Sequence, residues 1–330
     1  MKRRPMTNLF AVLLLLMVSV LLPYRTGVAA SKTYTPIGQY YGIKVKLGKY
    51  YVHKGGESGR WFGYSRKKNA TEDQETTLAG RENAVANDAV IYSYRDIHDG
   101  YKLVGHSIFK MNMKNGSEKR IKIIKDKTNP MSDSQDGFIF GTAYGNKLYY
   151  NVTQKYTKSG GFYDRTYKLM YLDTKTKKVK TAKKNFEILG CTKSYIFGRN
   201  TKNVYYVFNL KKNKFYKMSG VPKTGVVITH AYKDKVYGAQ FTGKISEGYK
   251  KILLFSFNGA KKKIAKIKTL KAGSGSTYLD GYFEVDSFKY TKDTTEFYKY
   301  NLASKKTTTT TAREYDYDLD PDYGDGDEEE

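Results

Sequence analysis

One short pattern recurs six times along the chain and constrains its fold more than any other feature. Each copy has two large apolar residues, a permissive residue, a large apolar residue and then Asn, Asp or Ser. The copies are WFGYS (61–65), IFKMN (108–112), LMYLD (169–173), YYVFN (205–209), LFSFN (254–258) and FYKYN (297–301). Their last residues are 47, 61, 36, 49 and 43 positions apart. Units of about 40–50 residues with β-type content are typical of propeller blades.

Other strand-like segments surround each copy of the pattern. An apolar run precedes it, as in KLYYN (147–151), and another lies earlier still, as in FIFGTAY (138–144). A polar turn and a further β-prone run follow it, as in KIAKI (263–267). Four strands in each of six units predict an all-β fold, a six-bladed β-propeller of four-stranded antiparallel blades over residues 31–312. The segment from Tyr40 is expected to supply the first strand of blade one.

The five consecutive threonines at 307–311 occupy the position of the outermost strand in the sixth unit. Threonine is β-branched and half-polar, which suits a strand that is wetted on one side. We therefore predict that the run is a strand and that the folded domain ends near Ala312. A low-complexity linker is the alternative, because polar runs of this kind are often flexible.

The N terminus has the pattern of a signal peptide. Basic residues at 2–4 precede an uncharged apolar core of 14 residues, Leu9–Leu22, and the small residues Val28–Ala30 follow. A helix of this length rises only about 21 Å, short of a hydrocarbon core of about 30 Å. We expect residues 1–30 to be cleaved and the protein to be secreted or placed at a bacterial cell surface. An uncleaved anchor is the alternative.

The chain has a single cysteine, Cys191, in the strand-like segment 186–197. An exported chain with one thiol has no disulfide framework, so its stability must come from packing. Low cysteine and high lysine content in an exported chain suit a bacterial source.

Charge divides the chain into a basic body and an acidic end. Residues 31–312 hold 54 Lys or Arg and 22 Asp or Glu, whereas residues 313–330 hold one Arg and ten acids. Charge of this size bears on partners and solubility rather than on fold. Residues 313–330 are predicted to be a disordered acidic tail.

The segment IFKMNMKNGSEKRI (108–121) resembles the repeats of a known group of proteins. The matching residues are Lys110, Met111, Asn112, Gly116 and Ser117, while Asn115 replaces an expected Asp. The group comprises bacterial secreted propellers related to the YWTD propeller of low-density lipoprotein receptors, and more loosely the TolB-like propellers. The resemblance implies a binding or scaffold domain and carries no catalytic residues with it.

Propeller topology sorts the loops onto two faces. Turns joining strands one to two and three to four emerge on one face, and these are short and lysine-rich. The predicted polyanion-binding residues are Lys67, Lys177, Lys212, Lys262 and Lys305. They would bind an anionic wall polymer, an acidic polysaccharide or an anionic membrane surface. The alternative is that lysine only solvates turns and protects strand edges. Nucleic acid is not expected as a natural partner, because the chain is exported.

The other face has longer, mixed loops at 95–106, 154–166 and 242–250. Aromatic residues beside Asp, Arg and Gly on a rigid scaffold indicate recognition of an extracytoplasmic protein or glycan. The candidate ligand-binding residues are Asp96, Asp99, Tyr101, Tyr156, Phe162, Tyr163, Asp164, Arg165, Glu247 and Tyr249. The alternative is that these are ordinary hairpin loops.

Catalytic signatures are absent from the sequence. It contains no Gly-x-Ser-x-Gly elbow, phosphate loop or His-Glu-x-x-His motif. Asp96, His98 and Asp99 offer three ligands from one loop, which do not predict a metal site, and His230 is expected in the core. We expect a monomeric, non-enzymatic binding or scaffold propeller without a cofactor. The alternative is a glycoside hydrolase or lyase, because blades can bring distant acids together.

The acidic tail generates a first prediction. If it folds back onto the lysine-rich turns, it competes with external anions for the same charges. Deleting residues 313–330 should then raise the affinity of the protein for a polyanion, measured by binding to an immobilised polymer. An unchanged affinity would leave the tail as a solubilising segment only.

Overall fold

The computed structural model describes thirteen segments of the chain. They are residues 32–40, 43–55, 61–81, 83–100, 102–125, 138–159, 162–223, 226–243, 249–270, 275–279, 282–291, 294–302 and 304–313. The predicted signal peptide and the tail after Arg313 lie outside the described residues. Among the described residues, no helix has the length and apolar character that crossing a membrane requires.

The described strands form six antiparallel sheets, numbered here in chain order. Sheet 1 contains β2 (Val45–Leu47), β3 (Tyr50–Gly55), β4 (Trp61–Ser65) and β5 (Thr76–Ala79). Sheet 2 contains β1 (Thr35–Pro36), β6 (Asn83–Ala86), β7 (Val90–Asp99), β8 (Lys102–Asn112) and β9 (Glu118–Lys125). Short 3-10 turns at Ile37–Gln39 and Glu72–Gln74 interrupt this part of the chain.

The remaining sheets follow the same plan. Sheet 3 contains β10 (Phe138–Tyr144), β11 (Lys147–Ser159), β12 (Phe162–Asp173) and β13 (Val179–Lys183). Sheet 4 contains β14 (Glu187–Cys191), β15 (Tyr195–Arg199), β16 (Tyr205–Asn209) and β17 (Lys214–Lys217). Sheet 5 contains β18 (Val226–Tyr232), β19 (Lys235–Gly243), β20 (Tyr249–Asn258) and β21 (Lys263–Leu270). Sheet 6 contains β22 (Gly275–Leu279), β23 (Tyr282–Thr291), β24 (Thr294–Asn301) and β25 (Thr307–Arg313).

The strand order within each sheet confirms an all-β propeller with four-stranded antiparallel blades. Consecutive strands pair in chain order, and the six copies of the sequence pattern lie in the third strands β4, β8, β12, β16, β20 and β24. The threonine run is the outermost strand of sheet 6, as predicted, because Thr307–Arg313 pairs with β24. First strands of consecutive sheets contact one another, as β6 does β10 and β10 does β14, so they lie on the inner side.

The prediction of six four-stranded blades is wrong in its count. Five sheets have four strands, whereas sheet 2 has five, in the order β1-β6-β7-β8-β9. The extra strand is β1, whose residues Thr35 and Pro36 pair with Ala86 and Val85 on the inner edge of the sheet. The N-terminal residues thus add to the second sheet before the chain enters the first.

Apolar packing between consecutive sheets forms the core. Five buried clusters each combine residues from two neighbouring sheets. One pair of residues represents each interface. Phe62 and Ile91 belong to the cluster between sheets 1 and 2, Tyr92 and Phe140 to that between sheets 2 and 3, and Tyr149 and Phe208 to that between sheets 3 and 4. Val207 and Phe255 belong to the cluster between sheets 4 and 5, and Phe241 and Tyr300 to that between sheets 5 and 6. Fully burying one large apolar side chain contributes about 1.5–3 kcal/mol. Because both faces of an inner sheet are covered, strict one-face alternation of apolar residues is relaxed.

The first described residues, 32–40, form an N-terminal strap across the inner strands. The carbonyl of Lys32 accepts a hydrogen bond of 2.7 Å from the backbone N–H of Gly145, at the end of β10. The Nε2 group of Gln39 donates to the carbonyls of Cys191 (2.9 Å) and Lys233 (3.0 Å) in sheets 4 and 5. Together with the pairing of β1, these bonds tie the strap to sheets 2, 3, 4 and 5.

The polar residue that ends each copy of the pattern starts the turn to the fourth strand. The side-chain oxygen of Asn112 accepts from the N–H of Lys114 at 2.9 Å, and that of Asn258 accepts from the N–H of Lys261 at 2.9 Å. Four positions after five of these six residues, all except Ser65, the backbone is left-handed, with φ from 51° to 69°. The five positions are Gly116, Lys177, Asn213, Lys262 and Lys305. Asx turns of this kind explain why Asn or Asp recurs there.

Lysine at the left-handed position generates a stability prediction. Asn adopts positive φ at lower cost than Lys, so Lys305→Asn should raise the free energy of unfolding by about 0.5–1 kcal/mol. Lys306→Asn removes the same charge from the next residue, which does not have positive φ, and should give no gain. Urea unfolding of both variants measures the difference. An equal change in the two would show that charge, not backbone conformation, is responsible.

Candidate functional site

The five lysines predicted to bind polyanions all lie in turns between third and fourth strands, and all five are exposed. The first strands meet at the inner side of the sheets, so these turns lie toward the outside. The lysines therefore lie on the outer side of the sheets, away from the inner first strands.

Positive charge is concentrated along this outer border. We define the basic rim as the third-to-fourth turns and fourth strands of sheets 2 to 6, residues 112–125, 173–183, 209–217, 258–270 and 301–313. These residues include 22 Lys or Arg and only two acids, Glu118 and Asp173. Within sheets 2 to 5 all of these cations are exposed except Lys122 and Lys183, which are half-buried. The equivalent residues of sheet 1, 65–79, hold three of each sign and are not part of the rim.

Cations of neighbouring sheets lie close enough on the rim to repel. Partial burial, followed by the charges of Lys110 and Lys119, lowers the pKa of Lys177, while Asp173 opposes the shift. Lys110 and Lys119 belong to sheet 2 and Lys177 to sheet 3, so the repulsion acts between sheets. An anion that binds across both sheets would relieve it.

Aromatic rings support several rim lysines. The Nζ of Lys262 lies 4.1 Å from the ring centroid of Tyr216, and that of Lys183 lies 4.7 Å from the centroid of Tyr206. The carbonyl of Lys262 also accepts a 3.0 Å hydrogen bond from the N–H of Ser219 in sheet 4. These contacts limit the positions of the ammonium groups along the border between sheets.

The face opposite the lysine-rich turns was predicted to consist of long loops, and the structure differs from this prediction. Two of the predicted loops are largely strand, because β7 and β8 pair as far as Asp99 with Lys102, and β11 and β12 pair as far as Ser159 with Phe162. Bulges in both hairpins shift the register before the tip. The two hairpins therefore extend beyond the core as two-stranded ladders.

Asp96 is not available to a ligand, contrary to the prediction. Its carboxylate Oδ1 lies 2.6 Å from Nδ1 of His106, and the two side chains are only 8% and 2% exposed. The ring of His106 stacks on Phe138 with centroids 4.2 Å apart. Asp96 is therefore the partner of a buried histidine and not part of a recognition surface.

The other candidate residues fall into three groups. Asp99 is exposed at the end of β7, and Arg165 lines a cavity described next. Five candidates belong to strands, although their side chains are not described: Tyr156, Phe162, Tyr163, Asp164 and Tyr249. Tyr101 and Glu247 lie outside the described residues.

A cavity of about 520 Å³ lies where sheet 3 meets sheet 4. Its lining comes from the start of β12, the start of β14 and the end of β15 with the turn that follows. Among the lining residues, the sequence pointed only to Arg165. The lining residues Asn185, Glu187 and Arg199 were missed, because nothing in a single segment shows that three segments meet.

A buried ionic cluster in sheet 1 was also missed. Glu75 forms an ion pair with Lys44, and its Oε2 lies 3.5 Å from Nε2 of His53. Burial lowers the pKa of His53, although the charge of Glu75 acts in the opposite direction. A Cβ atom at Gly63 would lie 2.3 Å from Oε2 of Glu75, so a larger residue there would displace the buried carboxylate. Within the described part of the chain, no three His, Cys, Asp or Glu residues are grouped as metal ligands.

Comparison with known proteins gives structural matches only. No protein-family model matches the chain, and no curated protein does. An oligogalacturonate lyase in complex with manganese is 12% identical, with a TM-score of 0.41 over 83% of this chain and 77% of that chain. An oligogalacturonate lyase from Vibrio parahaemolyticus is 8% identical, with a TM-score of 0.46 over 85% of this chain and 79% of that chain. The β-propeller domain of the Trilobed protease from Pyrococcus furiosus is 13% identical, with a TM-score of 0.33 over 89% of this chain and 99% of that chain.

Likeness at this level does not carry an activity or a residue role to this chain. The propeller architecture that the repeat resemblance implied is observed. The closer relationship to YWTD-type secreted propellers stays a prediction.

His230 generates a prediction on pH. This half-buried histidine lies on β18, and burial lowers its pKa from 6.5 to about 4. Between these values the unfolded chain binds a proton at this site that the folded protein does not. Stability should therefore fall as the pH falls from about 6.5 to about 4, by up to ~3 kcal/mol from this residue.

Urea unfolding across this pH range, with His230→Gln beside the wild type, tests the effect. The variant should lose less stability on acidification. The control His98→Gln removes an exposed histidine and should behave as the wild type does. A decline as steep in His230→Gln as in the wild type would mean that other groups cause it.

Proposed function

We propose that this protein is an exported, non-enzymatic propeller that binds an anionic polymer of the cell envelope through its basic rim. The observation that carries the proposal is the segregation of charge, 22 cations to two acids on the rim.

A polymer fits the rim better than a small anion does. The cations are spread over the turns and outer strands of five sheets, so a small ligand would meet only a few of them. A long anion contacts several turns at once, and linked contacts raise overall affinity well beyond that of any one contact. Release of counterions from such a polymer adds to binding and makes it sensitive to salt.

The export signal restricts the class of polymer. A chain with the predicted signal peptide meets wall polymers, acidic polysaccharides and anionic lipid surfaces outside the cytoplasm. Among these, a flexible polymer can follow a curved outer border, whereas a flat membrane would contact only part of it. We therefore favour a phosphate- or carboxylate-bearing envelope polymer.

Replacement of rim lysines tests the proposal. The variant Lys177→Gln/Lys212→Gln/Lys262→Gln/Lys305→Gln removes four charges from four sheets. Its affinity for a polyglycerol phosphate or a polyuronate should fall about tenfold or more near 0.1 M salt. Wild-type binding should weaken steeply toward 1 M salt, where the Debye length shortens from about 10 Å to about 3 Å.

The matched control removes the same charge from the opposite face, as Lys155→Gln/Lys184→Gln/Lys202→Gln/Lys251→Gln. These four lysines are also exposed, and their loss should change affinity less than about threefold. An equal loss of affinity in both variants would show that net charge alone determines binding. It would refute the rim as the binding site. Shortening of the polymer during the assay would favour the alternative, a propeller-based hydrolase or lyase.

A further inference from the structure

The cavity between sheets 3 and 4 has a composition unlike the packed interfaces around it. Its volume of about 520 Å³ lies within the ~300–1,000 Å³ typical of small-ligand sites. The lining consists of two Arg, three Asn, two Thr, one Glu and one Tyr, with no aliphatic residue. It opens on the face of the second-to-third hairpins, away from the turns of the basic rim.

An ion pair fixes one wall of the cavity. The Nε of Arg199 donates to Oε2 of Glu187 at 2.7 Å, and each side chain remains about 30% exposed (31% and 30%). The side chain of Tyr205 also interacts with the guanidinium. Glu187 and Tyr205 together orient this group, which has five N–H donors in all. An oriented guanidinium loses less entropy when it binds a carboxylate than a free one does.

A second set of bonds joins the same two segments of the lining. The Nδ2 of Asn185 donates to Oγ1 of Thr201 at 3.0 Å, and the backbone N–H of Thr201 donates to Oδ1 of Asn185 at 3.0 Å. These bonds join the connection between the sheets to the hairpin turn of sheet 4. Asn185 and Asn203 both have positive φ, 48° and 53°, which Asn tolerates better than other side chains.

Asn200 supplies a directed donor to the cavity. Its Oδ1 accepts from the N–H of Lys202 at 3.0 Å and from that of Val204 at 2.9 Å. With the oxygen engaged in the turn, the Nδ2 group is the part of the amide left for a ligand. The wall therefore presents amide and guanidinium donors on a backbone that is held in place.

These features together identify a class of ligand. The lining side chains carry two positive charges and one negative charge, and guanidinium groups bind carboxylates through paired hydrogen bonds. Amide, hydroxyl and carboxylate groups match the hydroxyls of a sugar, and the lining includes one aromatic residue, Tyr167, of the type that packs on sugar C–H groups. We propose that the cavity binds a sugar residue that carries a carboxylate, of the hexuronic acid type. This site is separate from the basic rim and goes beyond the function proposed for it.

The test uses a short hexuronic acid oligomer and its methyl-esterified form, titrated calorimetrically into the full chain. The two probes share every hydroxyl and differ only in charge. The acid form should bind in a saturable way, and the ester at least about tenfold more weakly, because it cannot form charge-assisted bonds. A sugar phosphate is a third probe. Equal binding of acid and ester, tighter binding of the phosphate, or no saturable binding would overturn the assignment.

Variants locate the site. Arg165→Gln and Arg199→Lys should each weaken binding of the acid oligomer about tenfold or more, the second because it keeps the charge but loses the planar fork. Asn200→Asp replaces a donor by a charge that repels the ligand and should have an effect of the same size. Circular dichroism and urea unfolding confirm that each variant is folded.

Two controls separate this proposal from that for the rim. Lys202→Gln removes a charge beside the cavity without changing its lining, and the four-lysine rim variant leaves the cavity intact. Both should bind the short oligomer within about threefold of the wild type. Loss of oligomer binding in the rim variant, with Arg165→Gln unaffected, would place the site on the rim. Retained oligomer binding in a protein that fails to bind long polymers would refute the rim proposal alone.

Discussion

Apolar packing between the faces of neighbouring sheets determines how the rest of the molecule is arranged. Aromatic rings fill these interfaces so closely that some strands must carry glycine. A Cβ atom at Gly238 would lie 2.4 Å from Cζ of Phe255, and one at Gly198 would lie 2.3 Å from Cζ of Phe186. In sheets 2 to 6, positive charge is concentrated in the outermost strands and in the turns that lead to them, where it does not interfere with packing between sheets. The basic rim is thus a consequence of the architecture as well as of composition.

Local features of the fold could be predicted from sequence because they depend on nearby residues. The recurring apolar pattern predicts the third strands. The turn after the third strand begins at an Asn such as Asn112 or Asn258, whose side chain accepts a backbone hydrogen bond within the turn. The threonine run forms β25 because β-branched residues suit an outer strand. The buried position of Cys191, 4% exposed, also follows from its apolar neighbours.

Features that join distant segments were beyond sequence reasoning. Gln39 reaches Cys191 and Lys233, which lie 152 and 194 residues further along the chain, and no local pattern indicates such a contact. Pairing of Asp96 with His106 depends on the hairpin register, so an apparent surface acid is in fact mostly buried. The cavity combines three separate segments, and only the contribution of Arg165 stood out in the sequence.

The central claim is that packing occupies most of the sheet faces and leaves the binding of a long polyanion to the outer border. Hydrogen–deuterium exchange, with and without bound polyglycerol phosphate, tests this most directly, since it reports on every strand in one experiment. The account predicts added protection in peptides covering β9, β13, β17 and β21, with the inner strands β6, β10 and β14 unchanged. Protection confined to the second-to-third hairpins, with the rim unaffected, would contradict it.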